Sequence, residues 1–218
     1  MSPVTRVLPA VSPRELESAV HQAVGVLQAG GLVAFPTDTV YGVGGLAFSA
    51  EAVGRLFQAK GRAREKAIPV LLAGIDQLRQ VVVDPTPDAV RLGERFWPGP
   101  LTIVLRRQPG LPEALSATAT VGVRVPDHPL ALALLAAAGP MAVTSANRSG
   151  GPSLQTAEQV LTDLGGKIDL ILDGGRSPGG RPSTVVACLG EPPTLLREGP
   201  ISMDRVLAAL GGRASTLG

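Results

Sequence analysis

The sequence predicts an α/β protein of a single domain, a twisted, open, mixed β-sheet flanked by helices. Short buried apolar runs alternate with stretches of 3.6-residue period along the chain, the pattern of strands and helices packed in layers around one core. Composition does not break anywhere in the 218 residues, a length that suits one large domain. The 27 glycines and 20 prolines fall in short clusters between the periodic segments, so the chain turns often and tightly and carries no long linker.

The elements follow in order. Ser12-Pro13-Arg14-Glu15 has the form of a capping box with proline at the first helical position. Leu16, Val20, Ala23, Val24 and Leu27 then share one face until Gly30-Gly31 stops the helix. Leu32 to Phe35 reads as a short buried strand that ends in the polar run Pro36-Thr37-Asp38-Thr39, and Val53, Leu56 and Phe57 mark a helix from near Ser49 to near Lys60. A strand at Pro69 to Ala73 and a helix at Pro87 to Phe96 come next, followed by strands at Leu101 to Arg106 and Val121 to Val125, a helix at Leu130 to Ala138 and a buried strand at Met141 to Thr144. Thr156 and Gln159 cap a helix that carries Ala157, Val160, Leu161 and Leu164. Three strands, Leu170 to Leu172, Thr184 to Ala187 and Thr194 to Leu196, are joined by short connections, which predicts that they pack together and that part of the sheet is antiparallel. A last helix runs from Ser202 to Leu210. The domain is therefore expected over residues 12–210, with 211–218 as a frayed tail.

Composition excludes several classes. Hydrophobic residues at 44% and charged residues at 17% lie far from the balance that keeps chains disordered. Leu130 to Val143 is the longest apolar stretch and is broken by Gly139 and Pro140, whereas a membrane-spanning helix needs about 20 residues. The start, MSPVTRVLPAV, lacks the pattern of a secretory signal, so a cytoplasmic protein without membrane contact is expected. One cysteine, Cys188, and two histidines, His21 and His128, make zinc and disulfide chemistry poor candidates. A net charge of +2 and six aromatic residues argue against a basic surface or a stacking platform for RNA, so any basic site must be local.

Several segments could carry chemistry. Pro36-Thr37-Asp38-Thr39-Val40-Tyr41-Gly42 follows a buried strand, where open α/β sheets bind ligands, although the same residues form ordinary turns. Lys60-Gly61-Arg62, with Arg64 and Lys66, reads either as cations favouring a helix C-terminus or as a phosphate clamp. Thr144-Ser145-Ala146-Asn147 ends a strand, and Asp173-Gly174-Gly175 begins a loop that re-enters the sheet at Arg181-Pro182-Ser183-Thr184. No Gly-Lys-Ser or Gly-Lys-Thr and no G-x-G-x-x-G is present, so a nucleotide would bind outside those two frameworks. Arg124-Val125-Pro126-Asp127-His128-Pro129 and Arg197-Glu198-Gly199 each place an arginine at a strand end. His128 reads as a loop-stabilising residue more readily than as a general base, because no nucleophile is supplied for it; Ser145 is not a triad serine.

Together, Pro36 to Gly42, Lys60-Gly61-Arg62, Arg124 to Pro129, Ser145-Ala146-Asn147-Arg148-Ser149-Gly150 and Ser183-Thr184-Val185-Val186 closely resemble the YrdC-like family of threonylcarbamoyl-AMP synthases, in order and spacing, over about Ser12 to Leu210. The resemblance implies a nucleotidyltransferase with a concave basic cleft that converts L-threonine, bicarbonate and ATP into threonylcarbamoyl-AMP and pyrophosphate for threonylcarbamoyladenosine in tRNA. It implies threonine binding by Thr39, Arg124, Ser145 and Ser183, and ATP binding by Lys60, Arg62, Lys66, Thr120, Asn147 and Arg197, with Lys60 and Arg62 catalytic. Mg²⁺ is expected to be held mainly by ATP phosphates, since no carboxylate cage is visible. The product is expected to pass to a tRNA threonylcarbamoyl transferase complex, with tRNA or double-stranded RNA contact as a further expectation. Leu71 stands where some relatives carry histidine, and Pro152-Ser153-Leu154-Gln155 replaces the usual Pro-Ser-Pro-Thr. The chain looks like the short, single-domain form of the family. A non-catalytic RNA-binding module and a carbamoyl-adenylate enzyme with another acceptor are the alternatives. Ser145 and Asn147, two residues apart, are expected to face the same side, one towards threonine and the other towards the nucleotide.

Overall fold

The computed structural model describes residues 4–190 and 192–211. Its elements run β1 (Arg6–Pro9), α1 (Pro13–Gln28), β2 (Val33–Phe35), β3 (Gly42–Leu46), α2 (Ala50–Lys60), β4 (Val70–Leu71), α3 (Leu78–Val81), α4 (Pro87–Phe96), β5 (Leu101–Arg106), β6 (Thr120–Arg124), α5 (Pro129–Ala138), β7 (Met141–Ser145), α6 (Ala157–Leu164), β8 (Leu170–Asp173), β9 (Thr184–Ala187), β10 (Thr194–Arg197) and α7 (Met203–Ala209). Both expected capping boxes form: Ser12 with Glu15 starts α1, and Thr156 with Gln159 starts α6. No described helix is long and apolar enough to cross a membrane. Of the expected frayed tail, residues 212–218 lie outside the described residues.

The strands form one mixed ten-stranded sheet in the order β1-β8-β2-β3-β7-β4-β6-β5-β9-β10. Four pairs are parallel (β1 with β8, β8 with β2, β4 with β6, β5 with β9) and the other five antiparallel, so the sheet is mixed as expected. Two strands appear beyond those expected. Arg6–Pro9, which the span 12–210 leaves out, adds an edge strand alongside Leu170–Asp173. Gly42–Leu46 pairs with β2 and β7 although its three glycines disfavour a strand on local grounds. The tight strand approach explains them: a Cβ on Gly44 would lie 2.2 Å from the carbonyl oxygen of Ala142. The expected packing of the last three strands is corrected. β8 sits between β1 and β2, whereas β9 and β10 close the opposite edge, so the connection between β8 and β9 crosses from one half of the sheet to the other.

Strand alternation assigns the two faces. Along β2, Val33 and Phe35 join Leu27, Leu130 and Leu134 on the face covered by α1 and α5, while Ala34 joins Val53, Leu56 and Leu164 on the face covered by α2 and α6. The second face stays covered across the sheet: Ile103, Leu105, Val121, Val123 and Val186 pack there with Leu92 and Phe96 of α4 and Val206 of α7. The first face does not, because α1 and α5 cover only the β1-to-β7 half. Beyond β7 the residues on that face, Thr102, Val104, Thr120, Gly122 and Arg124, meet no helix and become the floor of a cleft.

Candidate active site

The cleft has a volume of about 490 Å³, and its charged lining consists of Arg62, Arg124, Arg197 and Glu65. Seven of the residues expected at a site line it together: Thr39, Arg62, Thr120, Arg124, Ser183, Arg197 and, at the end of β7, Ser145. Residues more than a hundred apart in the chain meet here because β6, β7, β9 and β10 all deliver their ends to the uncovered half of the sheet.

Arg124 is the most constrained of these groups. It is 6% exposed and donates from Nε to the carbonyl of Gly99 (3.0 Å), from Nη1 to Thr39 Oγ1 (3.0 Å) and from Nη2 to Asp38 Oδ1. Burial lowers its pKa and the Asp38 carboxylate counteracts that shift, so the pair keeps a buried guanidinium charged. Thr39 is positioned in turn by Thr37, whose Oγ1 lies 3.0 Å from its own and also donates to the carbonyl of Val40 at 2.7 Å. The polar run after β2 is therefore more than a turn: it anchors an arginine that faces the cleft.

Ser183 and Arg197 form a second unit across β9 and β10. Arg197 donates from Nε (3.1 Å) and Nη2 (2.8 Å) to the Ser183 carbonyl and from Nη2 to Ser183 Oγ (3.1 Å), while Ser183 Oγ lies 2.8 Å from Thr102 Oγ1. Arg62 is held by its own loop, donating to the carbonyls of Lys66 (3.0 Å) and Ala67 (2.8 Å). Burial lowers the pKa of both arginines, and Arg197 lowers that of Arg62 further by repulsion. Two half-buried guanidiniums that repel each other in a concave site are relieved by a bound anion, the electrostatic requirement for phosphate.

Three expected site residues do not line the cleft. Lys60 is 3% exposed and absent from the lining; its ammonium donates to the backbone carbonyls of Ser145 and Asn147. Lys66 is exposed and does not line the cleft; its carbonyl accepts from Arg62. Asn147 does not share the side of Ser145. The strand ends at Ser145, and beyond it the Asn147 Nδ2 donates to the carbonyls of Arg148 (2.8 Å) and Gly151 (2.7 Å), closing a turn. Its Oδ1 is buried and has no hydrogen-bond partner among the described residues.

Other lining residues escaped the sequence reading. Thr102, a polar residue at an alternate position of an apolar strand, carried a legible signal; Ser116-Ala117-Thr118, Glu65 and Leu196 carried none. Tyr41, in a segment already singled out, lines the cleft and donates to the Gly175 carbonyl at 2.7 Å; burial, with Asp173, pushes its phenol up, so it stays neutral. Leu71 also lines the cleft, but Ser153 does not. In the departing segment, Leu154 accepts from the Tyr41 N–H at 2.9 Å and Gln155 Oε1 accepts from Arg176. His128 caps no helix through its side chain and does not line the cleft; burial lowers its pKa.

Comparison with known proteins adds to this geometry. The Sua5/YciO/YrdC family, described as telomere recombination, matches residues 25–199. A Mycobacterium tuberculosis protein provisionally named threonylcarbamoyl-AMP synthase is 40% identical over 215 residues, 98% of this chain and 99% of its own. The threonylcarbamoyl-AMP synthase of Bacillus subtilis is 43% identical over 198 residues, 88% of this chain and 56% of its own. The crystal structure of P. abyssi Sua5 complexed with L-threonine superposes with a TM-score of 0.91 at 38% identity, covering 95% of this chain and 62% of that one. The chain thus spans about three fifths of the length of these last two relatives.

Proposed function

The chain belongs to the Sua5/YciO/YrdC family, and from that membership we propose that it is an L-threonylcarbamoyladenylate synthase, a nucleotidyltransferase that makes threonylcarbamoyl-AMP and pyrophosphate from L-threonine, bicarbonate and ATP. The observation that carries this reading is the meeting, in one cleft, of a hydroxyl-lined arginine (Arg124 with Thr39) and a repelling pair of arginines (Arg62 and Arg197). The first suits an amino-acid carboxylate and the second a polyphosphate.

Arg124 binds the threonine carboxylate, and Thr39, Ser145 and Ser183 orient the rest of the molecule with hydroxyls. The neutral amine adds to bicarbonate carbon; a C–N bond forms, water leaves and a carbamate results. A carbamate oxygen then attacks the α-phosphorus of ATP and the bond to the pyrophosphate oxygen breaks. Arg62 and Arg197, with the Thr120 hydroxyl on the floor, stabilise the charge that grows on the departing pyrophosphate. Positioning and charge stabilisation do the work, since no side chain here forms a covalent bond to substrate.

Mg²⁺ is part of this proposal. Among the described residues no group of three or more His, Cys, Asp or Glu side chains could hold a metal, and Glu65 is the one acidic residue in the cleft lining. That donor set fits an ion carried in by phosphate oxygens and water, with Glu65 as the one carboxylate at hand. Bound so, Mg²⁺ would supply charge neutralisation for the phosphates. The product passes to a tRNA threonylcarbamoyl transferase complex, and the cytoplasm, where ATP, threonine and tRNA meet, is the setting. Threonine-dependent release of pyrophosphate from ATP tests the proposal. A pure RNA-binding module releases none, and an enzyme for another acceptor prefers another amine.

A further inference from the structure

Lys60 is a buried cation that the reaction above does not use. It ends α2, and its side chain reaches the exit of β7, where the ammonium donates to the carbonyls of Ser145 and Asn147. Its own carbonyl accepts from the Ser149 N–H at 3.0 Å, so one residue grips the 145–149 turn through side chain and backbone. Gly61, left-handed at φ +58°, turns the chain sharply after Lys60 and sends Arg62 towards the cleft instead.

The carbonyls that Lys60 binds belong to the end of the last β7 ladder and the first turn beyond it. Buried carbonyls without donors are costly, and an ammonium offers three N–H donors at one point. The rest of the turn is fixed independently: the Ala146 N–H donates to the Tyr41 carbonyl at 2.8 Å, and the Arg148 N–H to Asp163 Oδ2 at 2.6 Å. The Lys60 ammonium adds its two bonds at the stretch that carries the Ser145 side chain into the cleft.

We propose, resting on the synthase reading above, that Lys60 is a positioning residue that holds Ser145 in place for threonine and is not a ligand of the ATP phosphates. Arg62 then carries the phosphate contact assigned to the lysine–arginine pair. Burial and the nearby Arg62 charge push the Lys60 amine down to about 8, against the pull of Asp163 from α6. A neutral amine still has two N–H donors for its two carbonyls, whereas a phosphate contact depends on the charge.

Lys60→Met, similar in length and without donors, tests the proposal beside Arg62→Ala. ATP affinity is measured by titration without threonine, threonine KM by pyrophosphate release, and the Ala146 to Gly151 amides by hydrogen exchange. Lys60→Met is expected to keep ATP affinity within about threefold, to raise threonine KM at least tenfold and to speed exchange in that segment. ATP affinity that falls as far as in Arg62→Ala overturns the proposal, whatever happens to threonine. Should Lys60→Met fail to fold, the wild-type protein supplies the measurement: ATP affinity is expected to stay within threefold between pH 7 and pH 9, and a tenfold loss across that range overturns the proposal. Neither nucleotide titration nor exchange requires turnover, so a wild-type protein that releases no pyrophosphate refutes the synthase reading and leaves both to judge Lys60 separately.

Discussion

Arg124→Lys keeps the charge beside Asp38 and removes the fork. A guanidinium has five N–H donors, and Arg124 uses three of them within the protein: Nε on Gly99, one Nη1 hydrogen on Thr39 and one Nη2 hydrogen on Asp38. One N–H on each Nη is left over, enough for a two-point grip on a carboxylate. Lysine presents its donors at one nitrogen and cannot serve the Gly99 carbonyl, Thr39, Asp38 and a ligand together. Leaving the buried Gly99 carbonyl and Thr39 hydroxyl without their donor costs about 1 to 3 kcal/mol of stability. Losing one charge-assisted contact to threonine costs about 1.5 to 3 kcal/mol of binding, or roughly ten- to a hundredfold in affinity. Steady-state pyrophosphate release as a function of threonine, with ATP binding titrated separately and thermal unfolding as the control, resolves the two losses. We expect a threonine KM raised about ten- to a hundredfold with ATP affinity unchanged. A folded variant with wild-type threonine KM, or one that loses ATP and threonine equally, refutes the reasoning.

Four further outcomes follow from the structure. Arg62→Ala should weaken ATP binding about ten- to a hundredfold with little change in unfolding temperature, because the guanidinium's partners are carbonyls of its own loop; wild-type ATP titration would remove the phosphate assignment. Asn147→Ala strips two carbonyls of their donor and should cost about 1 to 2 kcal/mol in denaturant unfolding while activity per folded molecule persists. Because Lys60 holds its proton less tightly when folded (about 8 against the ordinary 10.5), the unfolded chain binds more protons between those values. Its share of stability therefore rises with pH across that window, by at most about 1.4 kcal/mol per unit, and the difference between wild type and Lys60→Met should show that slope. Gly44→Ala should prevent folding or destabilise severely, as read by circular dichroism, since the new methyl would overlap the Ala142 carbonyl.

Much of this protein is local and was therefore legible. The Ser12 and Thr156 capping boxes depend on residues three apart, and both helices start where those residues stand. The apolar runs Leu101 to Arg106 and Val121 to Val125 read as strands, and strands stand there, one face of which forms the cleft floor. The motif residues Thr39, Arg62, Thr120, Arg124, Ser145, Ser183 and Arg197, scattered along the sequence, line one cleft.

What the tertiary structure alone decided are the features set by partners far away in the chain. Gly42 to Leu46 is a strand because β2 and β7 flank it, against the preference of its glycines. β8 and β9 part to opposite halves of the sheet because each finds its neighbours, β1 with β2 and β5 with β10, elsewhere in the sequence. Lys60, Lys66 and Asn147 share motifs with true cleft residues, yet charge and spacing do not say which way a side chain points. Lys60 turns inward to the buried carbonyls at the end of β7 and Asn147 to those of its own turn, while Lys66 is exposed. Residue type and period fix what a segment can form; the competition among buried polar groups for partners, settled only when distant strands meet, fixes which of its side chains are left free to act.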